Sequence, residues 1–459
     1  MNQGIPVKYV FIILALGSLI YVNTLRNEFV SDDIPAIVNN PDISKLSFNG
    51  NLAAFSNSLN YRIGGFNPVV YHLTNLGLHL ANSILVFLFL RLFFNPSACF
   101  WAALIFAAHP IHTEAVTWIS GRPYSGGTFL LLASFLLYLK GTSGPRVKLA
   151  YFLPALLMFA GALFINTSFL VSLFLFILYD LVFARWQRTW KYWFLFIALA
   201  GIRFLYIFGD VRGRIASLNQ GSVGQGTSNL AFNAVYSFFS HLWLILWPMK
   251  LTLYHEPCNI SVGMLMVGGV LLVGLILLLP KIFKKSKAMF FAILLFALFL
   301  APTYSPVMIS WLVAERYVYF PSIAFSMLIA FLIDSFSVNK KISRFIYVFL
   351  AILIVFYSGR TIIRNADWST HASIWRATVR VSPLSPKAHN NMGDVYSREG
   401  NLSAAAGEFS RATELRSDYW EAYHNLANTY QKMGMFAQAD LNYRKAVELN
   451  PSFYQPINK

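Results

Sequence analysis

The chain has 459 residues, of which 57% are hydrophobic and only 12% are charged. Soluble proteins average about 45–50% apolar and about 25% charged residues, so this composition excludes a string of ordinary soluble domains. The net charge of +17 does not indicate a nucleic-acid partner, because Lys and Arg in cytoplasmic loops set the orientation of membrane helices. We therefore predict an all-α, polytopic protein whose main partner is the lipid bilayer.

The apolar segments predict eleven membrane spans of about 17–25 residues each. They are 7–25, 68–93, 98–118, 124–140, 148–165, 168–184, 192–208, 261–280, 288–302, 321–337 and 343–361. The first lacks a small-residue cleavage site and is followed by many more, so it is interpreted as a retained helix. A further apolar segment, 230–248, contains Asn233, His241 and Pro248. We predict that it lies on the outer membrane face or dips into it.

Clusters of Lys and Arg in short loops predict the orientation of these spans. They are Lys140/Arg146/Lys148, Arg185/Arg188/Lys191, Lys281/Lys284/Lys285/Lys287 and Lys340/Lys341/Arg344. If these loops are cytoplasmic and 230–248 does not cross, the N-terminus is cytoplasmic and the C-terminal region is outside. All acids of residues 1–366 except Asp180 and Asp334 then map to the outer face. This bias indicates either longer, more polar outer loops or a polar cavity that opens outward.

The first outer loop, 26–67, contains two adjacent carboxylates, Asp32 and Asp33. A neighbouring like charge can raise the pKa of one carboxyl towards the working pH. A general base that deprotonates an acceptor hydroxyl needs such a pKa. The alternative is a helix N-cap with a solvated neighbour.

The segment from 109 to 122 concentrates polar side chains where the third predicted span reaches the outer face. It contains His109, His112, Glu114 and Arg122. The first three are possible metal ligands, but their spacing matches no standard zinc motif. A hydrogen-bonding wall with Arg122 facing a phosphate is the simpler interpretation. The alternative is a set of interfacial polar residues that cap a helix end.

A third cluster, Glu315, Arg316 and Tyr317, lies at the outer end of another predicted span. A guanidinium beside tyrosines suits an anionic lipid headgroup at the membrane interface. The alternative is an ion pair between Glu315 and Arg316 that only holds the loop.

Arg203 is a charged residue within the predicted span 192–208. An ionisable side chain inside a membrane segment is a functional candidate by default. The alternative is that it extends towards Tyr206 and Asp210 at the interface.

The C-terminal residues repeat with a period of 34, so that 388–393 aligns with 422–427. The small and aromatic positions that coincide are those of a tetratricopeptide helix pair. We predict a membrane domain at 1–366 and a repeat domain at 367–459, with a half repeat at 369–381 and repeats at 386–419 and 420–453. An array of so few repeats has few stabilising interfaces of its own, so we expect it to pack against the membrane part or a partner.

The three polar clusters, in this order and followed by repeats, resemble the transmembrane-and-tetratricopeptide-repeat (TMTC) O-mannosyltransferases of the glycosyltransferase C superfamily. The motifs that carry the resemblance are Ser31-Asp32-Asp33, His109 to Val116, and Glu315 to Pro321. The resemblance implies inverting transfer of a sugar from a polyprenyl-phosphate carrier to a hydroxyl of a protein or glycan on the outer face. It does not imply any particular cofactor for certain, but a divalent cation is a possible one.

The resemblance also implies roles for single residues. Asp32 or Asp33 would be the base, and Arg122 and Arg316 would hold the leaving phosphate. His109, His112 and Glu114 would line the acceptor side.

One position departs from the expected family pattern. Asn166-Thr167 stands where a Lys-Glu pair is expected at the outer end of the fifth span, which makes an inactive, membrane-anchored repeat scaffold the main alternative. A transporter ranks lowest, because charges gather at one face instead of lying deep in several spans. The short repeat array suits a bacterial relative, with undecaprenyl phosphate as carrier, the cytoplasmic membrane as location and the repeats in the periplasm.

Overall fold

A computed structural model of the chain describes residues 6–219, 230–255, 262–305, 311–337 and 339–451. All regular structure in these described ranges is helical, which confirms the all-α prediction. The chain divides into two units, one formed by Met1–Leu251 with Ile260–Ala366 and the other by Thr252–Asn259 with Asp367–Lys459.

The first unit is a bundle of apolar helices joined by short turns. Its helices are α1 (Val7–Tyr21), α2 (Leu52–Gly64), α3 (Pro68–Leu90), α4 (Pro96–Ala108), α5 (Thr113–Val116), α6 (Arg122–Gly141), α7 (Leu149–Ile165), α8 (Leu173–Val182), α9 (Trp186–Asn219), α10 (Leu230–Leu246), α11 (Val262–Lys285), α12 (Lys287–Leu300), α13 (Ser322–Phe336) and α14 (Lys340–Asp367). The interior is dominated by interlocking Phe and Tyr rings on α3, α6, α8 and α12.

Six segments of the described chain are long and apolar enough to cross a bilayer. They are Val7–Arg26, Pro68–Leu90, Trp186–Gly213, Gly263–Lys285, Lys287–Tyr304 and Lys341–Asp367. Shorter apolar helices lie between them, among them α10. The chain is therefore a multi-pass membrane protein, whereas the number of eleven spans and the orientation stay predictions.

The predicted continuous span over 98–118 is wrong. The helix α4 ends at Ala108, and His109 has extended backbone dihedrals (φ −68°, ψ 124°). Proline disfavours helical geometry in the residue before it and has no N–H to continue the helix. Pro110 therefore turns the chain into a 3-10 turn, Pro110–His112, and the short helix α5.

The segment 26–67, predicted as the first outer loop, contains the helix α2. The side chain of Asn51 caps this helix by accepting hydrogen bonds from the N–H groups of Ala53 and Ala54. Asn57 is buried on one side of α2, whereas Ile63 on the other side is 68% exposed. A helix with its polar face inward and its apolar face outward is typical of a membrane surface.

The second unit contains the repeat helices α15 (His371–Val381), α16 (Pro386–Arg398), α17 (Leu402–Leu415), α18 (Trp420–Lys432) and α19 (Phe436–Leu449). Close contact between α16 and α17 needs the small residue Gly393, since a Cβ there would lie 2.7 Å from the Phe409 ring. The segment beginning at Thr252 also belongs to this unit. Its Tyr254 carbonyl accepts a hydrogen bond from Ser382 Oγ (2.9 Å).

Candidate functional site

Arg316 brings the second and third polar clusters together. Its guanidinium forms an ion pair with the buried Glu114, and its backbone N–H donates to Glu114 Oε2 (2.7 Å). The neighbouring Glu315 pairs instead with Arg364 of α14 (3.2 Å), and both of those side chains are fully buried. An ion pair between Glu315 and Arg316, the alternative considered from the sequence, is therefore wrong.

Asp33 brings the first cluster to the second. Its carboxylate is buried and accepts hydrogen bonds from Ser120 N (2.8 Å), Ser120 Oγ (2.5 Å) and Val30 N (3.1 Å). Burial raises the pKa of Asp33 to about 7, although the hydrogen bonds from Ser120 and Val30 oppose the shift. Asp33 thus fixes the outer segment to the turn before α6.

Asp32 has the opposite environment, because its side chain is exposed. The preceding Ser31 has a left-handed backbone (φ 53°), a conformation that non-glycine residues adopt at some cost. Partial burial raises the pKa of Asp32, and the positive charge of Arg316 lowers it. Asp32 is thus the available carboxylate of the pair, and it lies within electrostatic reach of Arg316.

Arg316 also lines an aromatic pocket. Its guanidinium carbon is 4.9 Å from the centre of the Tyr317 ring and 5.7 Å from that of Trp118. The pocket encloses about 390 Å³ of empty space, including its opening to solvent. Its other walls include aromatic side chains of three further segments, Tyr124, Phe169 and Phe299, and Phe320 of the same segment as Arg316. A cation in a largely apolar pocket suits an anionic group attached to an apolar chain.

Comparison with known proteins shows relatives along nearly the whole chain. The protein O-mannosyl-transferase TMTC3 of Homo sapiens is 26% identical over 90% of this chain and 52% of its own length. A protein O-mannosyl-transferase of Caenorhabditis elegans is 25% identical over 91% of this chain and 64% of its own length. The chain is similar to the TMTC O-mannosyltransferases along nearly its whole length. It spans about half the length of the human TMTC3 protein.

Two family models match the repeats, and one solved structure aligns with the chain. The family described as "Tetratricopeptide repeat" matches residues 420–453, and that described as "TPR repeat" matches residues 393–434. The crystal structure of ArnT from Cupriavidus metallidurans bound to undecaprenyl phosphate aligns with 96% of this chain and 78% of its own, with a TM-score of 0.45 and 13% identity.

The structure places Arg122, which the TMTC resemblance assigned to the leaving phosphate, among internal hydrogen-bond partners. This side chain is buried, and each of its three nitrogens has an internal partner. Nε donates to Asn75 Oδ1 (2.7 Å), Nη1 to Ser56 Oγ (3.0 Å) and Nη2 to the Tyr71 carbonyl (3.1 Å). Arg122 therefore joins α2, α3 and α6, and Arg316 is the better placed of the two to meet a phosphate.

The two histidines are also more deeply placed than expected. His109 Nε2 donates to the Ile245 carbonyl (3.0 Å), since its Nδ1 accepts from Ile111 N. His112 contacts the Phe106 carbonyl and Ser322 Oγ (both 2.9 Å). Both rings are buried. They support the wall of the site through these hydrogen bonds.

The unusual pair Asn166-Thr167 lies at the edge of the aromatic pocket. Asn166 caps a 3-10 turn by accepting a hydrogen bond from Ser168 N (2.9 Å), and Ser168 and Phe169 line the pocket. This departure from the expected TMTC pattern therefore directly precedes two residues that line the candidate site.

The C-terminal end of α14 is a part of the site that sequence reasoning missed. Thr361 Oγ1 donates to the Ala108 carbonyl (2.8 Å), at the end of α4. Arg364 holds Glu315, as described above. The next residue, Asn365, accepts a hydrogen bond from Thr117 Oγ1 (2.7 Å).

Asn365 also binds the chain that leads to Asp32. Its Nδ2 donates to the Ile20 carbonyl and to Asn23 Oδ1 (both 3.0 Å), and its carbonyl accepts from Asn27 Nδ2 (3.2 Å). One turn of α14 therefore contacts all three polar clusters or their flanks. The sequence signal that could have identified these residues is the polar run at the end of an apolar span.

The residues that the structure describes contain no group of three or more His, Cys, Asp or Glu side chains that is placed to hold a metal ion. The histidines and Glu114, considered above as ligands, are instead engaged with carbonyls, a hydroxyl and a guanidinium.

Proposed function

We propose that the chain is a membrane glycosyltransferase that moves a sugar from a polyprenyl-phosphate carrier to a hydroxyl group on the outer face of the membrane. The observation that supports this most directly is the exposed carboxylate of Asp32, in electrostatic reach of Arg316 at an aromatic pocket. The names of the homologues specify mannose as the sugar and protein as the acceptor, and we extend both to this chain.

In the proposed reaction, Asp32 accepts the proton of the acceptor hydroxyl as general base. The acceptor oxygen forms a bond to the anomeric carbon, and the bond from that carbon to the carrier phosphate breaks. The bonding electrons leave with the phosphate, so negative charge develops there. Attack from the face opposite the phosphate inverts the anomeric carbon.

Arg316 would stabilise the charge that develops on the leaving phosphate. A guanidinium offers several N–H donors in one plane, so it can keep its bond to Glu114 and still donate to a phosphate oxygen. Such a donor, aimed where charge develops, lowers the barrier. The aromatic walls around it would accept the sugar and the first units of the carrier.

The orientation that serves this proposal is the one predicted from the basic loops. It places the N-terminus in the cytoplasm and both Asp32 and the repeats on the outer face of the cytoplasmic membrane. The repeats would recruit the acceptor protein.

A second candidate is a scaffold on an inactive transferase fold, and the position of Asn166-Thr167 at the pocket edge favours it. A deletion strain separates the two, with envelope glycoproteins and glycans analysed by mass spectrometry. It would be complemented with wild type, Asp32→Asn or Asp42→Asn. Asp42 is a matched control, because it is an exposed carboxylate of the same outer segment, paired only with Lys45 at the surface.

We expect a hexose mass to disappear on deletion and to return with wild type and Asp42→Asn but not with Asp32→Asn. Full restoration by Asp32→Asn would contradict its role as the base. No change in any mass, with a phenotype rescued by all three proteins, would exclude the transferase and support the scaffold.

A further inference from the structure

Arg203 lies on the packed face of a membrane helix. The residues of α9 that share this face are apolar and buried: Phe196, Ala200 and Ile207. Arg203 itself is only 6% exposed, whereas Leu205, on the outer side, is 74% exposed. The guanidinium is thus held between helices at a position where an apolar side chain would be expected, and a charge there needs compensation.

The protein satisfies this guanidinium only in part. Arg203 Nε donates to the Leu163 carbonyl (3.1 Å), in the last turn of α7, and the guanidinium carbon lies 4.9 Å from the Phe164 ring centre and 5.2 Å from that of Tyr206. Nη1 is buried and has no hydrogen-bond partner within the described ranges. The bond to the end of α7 explains the position of Nε. It leaves the buried donor Nη1 unpaired, and an unpaired buried donor on a charged group is destabilising.

Arg203 packs against the last turn of α7, next to residues 48–50 of the first outer segment. Phe48 of that segment packs on Phe164 with ring centres 5.7 Å apart, and Tyr206 Oη donates to the Asn49 carbonyl (3.4 Å). The helix α7 ends at Ile165, two residues after Leu163. The predicted span 192–208 also ends shortly after Arg203, so its long side chain can extend towards a phosphate group at the membrane interface.

We propose that Arg203 forms a second anion site, which binds the phosphate of a membrane lipid between α7 and α9 under residues 48–50. A phosphate oxygen accepts the hydrogen bond that Nη1 lacks, and the exposed side chains of α9, such as Leu205, contact the lipid chain. The phosphate comes either from the polyprenyl carrier or from a bulk phospholipid. The assignment of this phosphate to the polyprenyl carrier rests on the proposed function, whereas the assignment to a bulk phospholipid does not.

The test counts lipids bound to the full chain by native mass spectrometry after delipidation. The probes are undecaprenyl phosphate and phosphatidylglycerol, each titrated alone. The variant Arg203→Gln keeps a donor for the Leu163 carbonyl but removes the charge, and Arg203→Lys keeps a charge. The matched control is Arg212→Gln, because Arg212 is an exposed residue of the same helix.

We expect Arg203→Gln to bind one lipid fewer than wild type, or to bind its last lipid at least tenfold more weakly, with an unchanged Tm. Arg203→Lys and Arg212→Gln should keep the wild-type number. Loss for undecaprenyl phosphate alone identifies the carrier, and loss for phosphatidylglycerol identifies a bulk phospholipid. If Arg203→Gln bound both probes as wild type does, or if Arg212→Gln lost as much lipid as Arg203→Gln, the proposal would be overturned. Arg203 would then serve only to cap α7.

This result is separable from the proposed function. The variant Asp32→Asn retains every contact of Arg203, so it should bind lipid as wild type does while losing transfer. A chain that binds lipid through Arg203 but transfers no sugar would contradict the enzyme proposal alone.

Discussion

Neighbouring residues with the same side chain have different tasks in this site. Asp32 and Asp33 are indistinguishable in the sequence, yet Asp32 is exposed and Asp33 is buried. Glu315 and Arg316 are also adjacent, and their ion-pair partners lie on different elements. The sequence predicted that these residues belong to the site, because polar side chains beside apolar spans are costly unless they are used. It could not assign their partners, since these lie up to about two hundred residues away in the chain.

The pH dependence of stability tests the environment of Asp33. Its pKa is about 7 in the folded protein because of burial, compared with about 4 in an unfolded chain. Between these values the folded state binds more protons than the unfolded state, so this group makes stability fall as pH rises from about 4 to about 7. Above pH 7 its contribution stays constant. Each pKa unit corresponds to about 1.4 kcal/mol.

The variant Asp33→Asn cannot ionise, so its Tm should lack this slope. We expect the Tm difference between wild type and Asp33→Asn, measured in one detergent from pH 4 to pH 8, to shift in favour of the variant as pH rises. Asp42→Asn should keep the wild-type slope. Parallel Tm curves for wild type and Asp33→Asn would show that Asp33 titrates normally.

The pair of Glu114 and Arg316 provides a second test at the level of single residues. Glu114→Gln leaves the guanidinium in a largely buried place without its counter-charge, and loss of one partner of a buried pair costs up to about 3–5 kcal/mol. We expect a clear drop in Tm, together with weaker binding of the lipid donor. Glu28→Gln, at an exposed carboxylate of the outer segment, should behave as wild type. A Tm equal to that of wild type would mean that the pair contributes little.

Helix boundaries show what the pattern of apolar residues can and cannot predict. The pattern locates most helices, because a bilayer-crossing segment must be long and apolar. It failed at 98–118, where the apolar run continues through Pro110 although the helix ends before it. It also missed α2, because that helix is short and turns its polar side inward. Neither feature changes the local hydrophobicity much.

The C-terminal end of α14 is the element that holds the three polar clusters in register. Asn365 makes hydrogen bonds to Thr117, Ile20 and Asn23 through its side chain. Asn365→Ala should leave at least two of these groups unsatisfied, at about 1–3 kcal/mol each, and should misplace the segment that carries Asp32. We expect a lower Tm and a loss of transfer that exceeds the loss of donor binding.

Ser358→Ala is the control on the same helix, because the Ser358 hydroxyl bonds only within α14, to the Ile354 carbonyl (2.7 Å). Its Tm and activity should equal those of wild type. If Asn365→Ala lowered donor binding and transfer equally, or left both intact, α14 would not position the base.

At the scale of the whole molecule, the repeat unit is not formed by the C-terminal residues alone. The segment that begins at Thr252 comes from between α10 and α11 and packs on the half repeat. Its Tyr254 ring lies 5.5 Å from the Trp375 ring, and Tyr254 Oη accepts a hydrogen bond from Asn391 (3.4 Å). The period of 34 predicted the repeats, but such a contact has no local signal, because it joins residues more than one hundred positions apart.

This contact predicts that a change in the membrane part of the sequence will loosen the repeats. Tyr254→Ala removes an aromatic partner of Trp375, and an aromatic pair contributes about 0.5–1.5 kcal/mol beyond its buried area. Because there are so few repeats, each interface contributes a large share of the stability of the repeat unit. We therefore expect limited proteolysis of the full chain to cut residues 367–451 several-fold faster in Tyr254→Ala than in wild type. Tyr254→Phe keeps the ring and removes the hydroxyl that accepts the weak bond from Asn391, so its cleavage rate should stay near that of wild type. Equal rates in Tyr254→Ala and wild type would show that the repeats are stable without this segment, and recruitment of an acceptor could then be studied on the repeats alone.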